Sequence, residues 1–236
     1  MPKRPKGLLL DYGGTLVEEV AYDPHAGGAA LLELAAFVPP GVTLADVIAR
    51  ARRVTSLVSA RRDEFNIETP WPSLTRLIYD HLGIQFDVPM AALELAYWKA
   101  SVTTRPMPGA RDALARLHRA GMPMAVLSNS SFGADVIRYE LARHGLTDHL
   151  EFVMVSADYV VRKPVALGVE TAAVRLGVAA EDVWFVGDRL DTDVAAAKAA
   201  GMTAVWLRPV GQSDSTTPDL TVADWSELVA RFEETR

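Results

Sequence analysis

The sequence predicts an α/β fold: an open, mostly parallel sheet with an α-helical insertion after its first strand. Three observations carry this. Apolar runs of strand length recur along the chain. Helical patterns alternate with them, most closed by a glycine. Residues 17–104 hold helical patterns and no convincing strand.

The elements follow in order. Gly7–Leu10 reads as the first buried strand. The basic start, Met1-Pro-Lys-Arg-Pro-Lys, precedes an apolar run too short for a signal peptide or a transmembrane helix, so it reads as a solvated tail. Ala29–Phe37, Leu44–Arg62, Ser73–Leu82 and Ala91–Ser101 read as amphipathic helices, punctuated by Pro39-Pro40, Pro70, Pro72 and Pro89. Beyond them come helix Ala110–Ala120, strand Met124–Leu127, helix Ala134–His144, strand Phe152–Val155, helix Leu167–Leu176 and strand Val183–Val186. Helix Thr192–Ala200 and strands Thr203–Leu207 and Leu220–Val222 complete the order. Gly121, Gly145, Gly177 and Gly201 stand where the four helices should stop. Alternation of this kind gives right-handed crossovers and a doubly wound sheet, which takes ligands at the carboxyl ends of its strands. The insertion is expected above those ends.

The 236 residues are 50% hydrophobic and 23% charged, enough for a sizeable core in one or two domains. A net charge of −6 gives no reason to expect nucleic acid and disfavours anionic membranes, but leaves a phosphate substrate open, since local fields in a cleft decide that. There is no cysteine, which excludes disulfides, thiolate nucleophiles and Cys metal sites and fits a cytoplasmic setting. Monomer and homodimer both remain open. The sequon Asn129-Ser130-Ser131 follows a buried strand and reads as accidental.

Each strand is followed by a polar residue: Asp11, Ser128, Ser156, Asp188, Arg208 and Asp224. Strands also end in polar residues simply on reaching water, so the local sequences have to be read together. Asp11 opens Tyr12-Gly13-Gly14-Thr15-Leu16, a carboxylate held out on a turn as a nucleophile would be. Asp188, Asp191 and Asp193 stand at a strand–helix junction. Asp11, Asp188 and Asp193 make a hard-oxygen set suited to Mg²⁺, while helix N-capping is the alternative and Asp191 the better candidate for it. Ser128-Asn129-Ser130-Ser131 offers hydroxyls and N–H groups to an anion, or an N-cap cluster. Lys163 precedes a helix expected to start near Pro164, with proline at its first position. It reads as a surface lysine or, more sharply, as a phosphate-binding one.

Four motifs in this order resemble the haloacid dehalogenase (HAD) superfamily of hydrolases with a helical cap of the C1 type inserted after the first motif. Asp11-Tyr-Gly-Gly-Thr15-Leu is similar to motif one, Leu127-Ser128-Asn129 to motif two, Arg162-Lys163-Pro164 to motif three, and Gly187-Asp188 with Asp193 to motif four. Pro106-Met-Pro108-Gly109 is similar to the family's re-entry from cap to core. The resemblance implies a Rossmann-like core over 1–16 and 105–236 and a cap over 17–104. It implies attack by Asp11 on phosphorus, an aspartyl-phosphate and its hydrolysis, acting on a small phosphorylated metabolite. Mg²⁺ would be bound by Asp11, the carbonyl of Gly13 and Asp188, with Asp193 either a further ligand or supporting them from behind. Ser128, Asn129 and Lys163 would hold the phosphoryl group, and Thr15 would orient the turn.

The family's phosphatases carry an acid/base Asp two residues after the nucleophile; here that position is Gly13. The departure leaves several readings open. One is a hydrolase of phosphates with good leaving groups. A second resembles the phosphonatases, which use a cap lysine, and Lys99 is the one lysine in this cap. A third resembles the haloacid dehalogenases, and the last is a phosphate-binding or regulatory protein that has lost turnover. Within the cap, Arg50, Arg52, Arg53, Arg61 and Arg62 read as a charged helix face that only hints at specificity. Trp71, Tyr97 and Trp98 read as core or as cleft lining. His25, His81, His118, His144 and His149 follow no metal-ligand spacing.

Overall fold

The computed structural model describes residues 2–208 and 216–235; Met1, 209–215 and Arg236, parts of the expected core, lie outside the described residues. Strand β1 (Gly7–Leu10) is the pivot of a six-stranded, all-parallel sheet. Its neighbours are β4 (Met124–Ser128) and β6 (Val183–Gly187). Beyond β4 lies β5 (Val153–Val155), and beyond β6 lie β7 (Thr203–Leu207) and β8 (Leu220–Val222), in the order β5-β4-β1-β6-β7-β8. The chain runs outward from β1 to β5, returns across the sheet to β6, and runs outward the other way. The reversal falls at β1, where such sheets open a ligand crevice.

The registers decide what gathers there. Leu10 pairs with Val126 on one side and Val186 on the other, so the three central strands end within two residues of one another. Side chains alternate across the sheet. Leu8 and Leu10 enter one apolar layer with Trp184 and Val186, covered by α5 (Ala110–Arg119), α6 (Ala134–Arg143) and α10 (Trp225–Glu234). Leu9 enters the opposite layer with Ala125 and Phe185, covered by α8 (Ala166–Leu176) and α9 (Ala195–Ala199). Each of these fully buried leucines contributes roughly 1.5–3 kcal/mol relative to exposure. A short helix, α7 (Ser156–Tyr159), follows β5.

Between β1 and α5 the chain makes four helices: α1 (Pro24–Glu33), α2 (Leu44–Phe65), α3 (Trp71–Tyr79) and α4 (Met90–Ser101). They share an apolar core of their own that includes Leu31, Val47, Trp71, Ile78 and Leu93. The first starts earlier than its periodicity suggested, because Asp23 accepts from the N–H groups of His25 and Ala26 and Pro24 takes the first turn. Thr43 and Asp46 form a capping box on α2.

Three expectations need correction. The segment 17–104 is not free of strands. Val17–Tyr22 forms β2, which pairs antiparallel with β3 (Val102–Pro106), and the two bracket the helices. Both strands expose most of their side chains, so neither shows an apolar run, and their partners lie far apart in sequence. Pro164 is not the first residue of a helix: α8 begins at Ala166 and Pro164 stays in the preceding loop. The N-terminal segment is not merely solvated, since Lys3 and Lys6 pair with Asp182 at 2.6 and 2.8 Å. Among the described residues no helix is long and apolar enough to cross a membrane.

Candidate active site

The ends of β1 and β4 deliver Asp11 and Ser128 to one cleft of about 860 Å³, and β6 brings Asp188 close beside Asp11. Asp11 directly follows β1 and is buried, with its N–H bonded 2.9 Å to the carbonyl of Val186. Ser128 ends β4, buried, and Asn129 follows it in the cleft wall. Asp188, half-buried, directly follows β6.

Lys163 arrives from the loop before α8. Its ammonium donates to Asp11 Oδ1 at 2.5 Å and to the carbonyl of Leu127 at 3.0 Å, and lies 2.7 Å from Asp193 Oδ1. Asn129 fixes this loop, accepting from the Lys163 N–H at 2.8 Å and donating to the Lys163 carbonyl at 2.9 Å. Asp193 lies in a π-helical turn, Leu190–Val194, that opens α9. Its Oδ2 accepts from the Arg189 N–H at 3.1 Å.

Two glycines make this packing possible. At Gly14 (φ +73°) a Cβ would lie 2.4 Å from Asp188 Oδ2, and at Gly187 it would lie 2.4 Å from the Asp193 side chain. Gly13 differs: a Cβ there would meet nothing within 4 Å, and the residue lines the cleft. Thr15 is fully buried under the turn and outside the cleft lining, where its carbonyl accepts from Trp225 Nε1 at 3.0 Å.

Carboxylate oxygens of Asp11, Asp188 and Asp193 lie within 4.8 Å of one another. Burial pushes the Asp11 carboxyl up to about 7; Lys163 opposes the rise, while Asp193 and Asp188 add to it. Burial, reinforced by Asp193, pushes Asp188 up to about 6. Burial alone would lower the Lys163 ammonium, but Asp11 and Asp193 outweigh it and hold it above the ordinary lysine range. Three carboxylates thus crowd around the Lys163 ammonium, with Arg189 acting on Asp188 and Asp193 as well. The all-oxygen donor set fits a hard divalent cation.

Of the other candidates, Asp191 lies at the cleft wall but is exposed and paired with Arg189 through two bonds of 2.6 and 3.1 Å. Asp224 is the N-cap of α10. Arg62 and Trp98 line the cleft, whereas Arg53 and Arg61 are exposed. Lys99 lies over the Tyr139 ring at 4.6 Å and outside the cleft lining. Trp71 and Tyr97 join an aromatic cluster with Phe132.

Three buried acids, Glu68, Glu94 and Glu140, escaped the sequence reading, and the first and last have side-chain partners across the fold. Glu68, between α2 and α3, accepts from Ser156 Oγ at 2.7 Å and pairs with Arg162, the residue before Lys163. Glu140 of α6 accepts from Trp98 Nε1 at 2.8 Å and from Thr104, and pairs with Arg143. Both tie the insertion to the sheet beside the cleft. Their sequence signal was faint: Glu68 lies outside any helical pattern, and Glu140 is a single acid on an otherwise apolar helix face.

A family model described as haloacid dehalogenase-like hydrolase matches residues 5–201. Ribulose-1,5-bisphosphate 5-phosphatase of Halopiger xanaduensis is 32% identical over 53% of this chain and 52% of its own length. Phosphoserine phosphatase of Thermus thermophilus is 35% identical over 51% of this chain and 49% of its own. The chain therefore spans about half the length of these curated relatives. Among solved structures, a HAD phosphatase from Thermococcus onnurineus superposes with a TM-score of 0.63 at 22% identity, covering 96% of this chain and 97% of that one. At that identity the likeness speaks for the fold.

Proposed function

The chain belongs to the haloacid dehalogenase-like hydrolase family, and we propose that it hydrolyses a small phosphorylated metabolite through a covalent aspartyl-phosphate on Asp11. One observation carries this reading: a buried carboxylate at a strand end, touched by a lysine ammonium, at the mouth of a cleft also lined by Ser128 and Asn129. The relatives' names, both phosphatases, support it.

In this reading Lys163 and Ser128 hold the phosphoryl oxygens, and Lys163 orients the Asp11 carboxylate. An oxygen of Asp11 attacks phosphorus, the bond from phosphorus to the leaving oxygen breaks, and water then cleaves the acyl phosphate, returning free Asp11 and phosphate. Asp11, Asp188, the Gly13 carbonyl and Asp193 are the residues to hold Mg²⁺, which when bound offsets the repulsion between an anionic nucleophile and an anionic phosphate. Both Asp193 oxygens already accept from Lys163 and Arg189, so its larger part is to hold Lys163 in line. The insertion, assigned as a cap over 17–104, closes the cleft and excludes water.

Gly13 supplies no proton to a leaving group. General acids contribute roughly 10²–10⁴ in rate, so substrates with good leaving groups are favoured. Lys99, turned onto Tyr139, gives no support to a Schiff-base reaction. The test is turnover of acetyl phosphate and p-nitrophenyl phosphate with and without Mg²⁺, beside Asp11→Asn. Mg²⁺-dependent turnover lost in the variant is expected. Phosphate binding without turnover of either substrate would reject a hydrolase.

A further inference from the structure

The insertion contains a second cavity, about 500 Å³, enclosed by α1, α2 and α3 with Tyr97 of α4. Its walls are apolar, formed by side chains such as Leu31, Val47, Ile78 and Trp71. Two of the three hydroxyls in the α2 wall bond within the helix: Ser56 Oγ donates to the Arg53 carbonyl at 2.9 Å and Ser59 Oγ to the Thr55 carbonyl at 2.8 Å, with Thr55 the third. Those two present little unmet polarity to an occupant. Tyr22 and Tyr97 likewise bond each other through their hydroxyls at 2.7 Å.

This cavity adjoins the active-site cleft. Tyr22, Arg62, Ser131 and Phe132 line both spaces. Two of the four have direct ties to the site or its walls. Ser131 and Phe132 end the loop that begins at Ser128. The Ser131 carbonyl accepts from the Trp71 N–H at 2.7 Å, which seats the head of α3 on that loop. Phe132 stacks against Trp71 with ring centroids 5.9 Å apart. A molecule with its phosphoryl group beside Asp11 and Ser128 thus has an apolar room ahead of it past Phe132. Both volumes fall in the range of small-molecule sites.

We propose that this compartment binds an alkyl or aryl arm of the phosphorylated substrate. The substrate class is then an amphipathic phosphate, with its charged end at Asp11 and its apolar end among the insertion helices. This rests on the phosphatase reading of the cleft. Burial of methylenes is worth about 0.8 kcal/mol each, roughly a fourfold gain in affinity per methylene.

The experiment measures binding of ethyl, butyl, hexyl and octyl phosphonate, which are not hydrolysed, to the full chain with Mg²⁺ present. Affinity is expected to climb roughly fourfold per methylene until the room is filled, and inorganic phosphate should displace every member. Ala51→Phe, filling the room from the α2 wall, should flatten the series while leaving ethyl phosphonate binding and acetyl phosphate turnover unchanged. Should that variant fail to fold, Ser59→Phe tests the same wall nearer the portal. A flat series in the native chain overturns the proposal, as does a slope that persists in a folded, filled variant. Flat binding with intact turnover removes the apolar arm alone. A rising series without any turnover removes the hydrolase reading and leaves the compartment standing.

Discussion

Lys163 Nζ lies 2.5 Å from Asp11 Oδ1 and 2.7 Å from Asp193 Oδ1, so one buried ammonium joins the end of the first strand to the first turn of α9. All three side chains are almost wholly buried. Removing one partner of a buried ion pair costs about 3–5 kcal/mol, because the remaining charge stays desolvated. Lys163→Met should therefore lower the denaturation free energy by about that amount and abolish turnover. Combining it with Asp11→Asn should recover part of the stability and none of the activity. Urea unfolding of the two single variants and the double variant checks this; strictly additive losses would mean that the pair is not coupled.

The sheet and most of this site were legible because their signals are local. Leu8-Leu9-Leu10 is continuous and apolar because it is buried on both faces, and the polar residue after each strand needs no knowledge of the fold. The β2–β3 ribbon was not legible. Glu19, Val20 and Tyr22 of β2 and Thr103 and Arg105 of β3 are exposed, and the pairing of Glu19 with Thr104 spans the whole insertion. The Pro164 error has a similar root. A proline beside a helical pattern suggests a first turn, yet the loop is held by Asn129, from another strand, through both backbone groups of Lys163. Glu68 and Glu140 take their meaning from partners 88 and 42 residues away, which composition and periodicity do not show.

Gly13 stands in open space, two residues from Asp11. Gly13→Asp should fold with little change in stability and place a carboxyl where the cleft has room for one. Hydrolysis of alkyl phosphates, whose leaving oxygen needs a proton, should rise by up to roughly 10²–10⁴. Acetyl phosphate, with a good leaving group, should gain far less. The ratio of kcat/KM for the two substrates is the readout, and an equal change on both would count against the missing acid as the limiting feature.

Gly14 shares its left-handed conformation with Gly41, at φ +73° and +86°, but a Cβ meets Asp188 only at Gly14. Alanine in that conformation costs roughly 1–2 kcal/mol. Gly41→Ala should show this penalty alone. Gly14→Ala should show it together with a displaced Asp188, and so should weaken Mg²⁺ binding as well as stability. Isothermal titration with Mg²⁺ separates the two, since native-like affinity in Gly14→Ala would mean that Asp188 is not held by this contact.

Asp11 and Asp188 are raised from the ordinary 3.8 to about 7 and about 6, burial being the main cause for both. The sign follows from which state holds the protons. Between roughly pH 4 and pH 7 the folded chain retains protons that the unfolded chain has released. Stability from these two groups is therefore full below their unfolded pKa and is lost as pH rises through the folded values. A divalent cation at the same carboxylates needs those protons gone, so its stabilising effect grows in the same direction. Thermal melts at constant ionic strength should show Mg²⁺ raising Tm more at about pH 8 than at about pH 5. Asp11→Asn should shrink the difference, because it removes a titrating group and a donor oxygen at once. A Tm increase from Mg²⁺ that is equal at the two pH values in the native chain would place the cation away from Asp11 and Asp188.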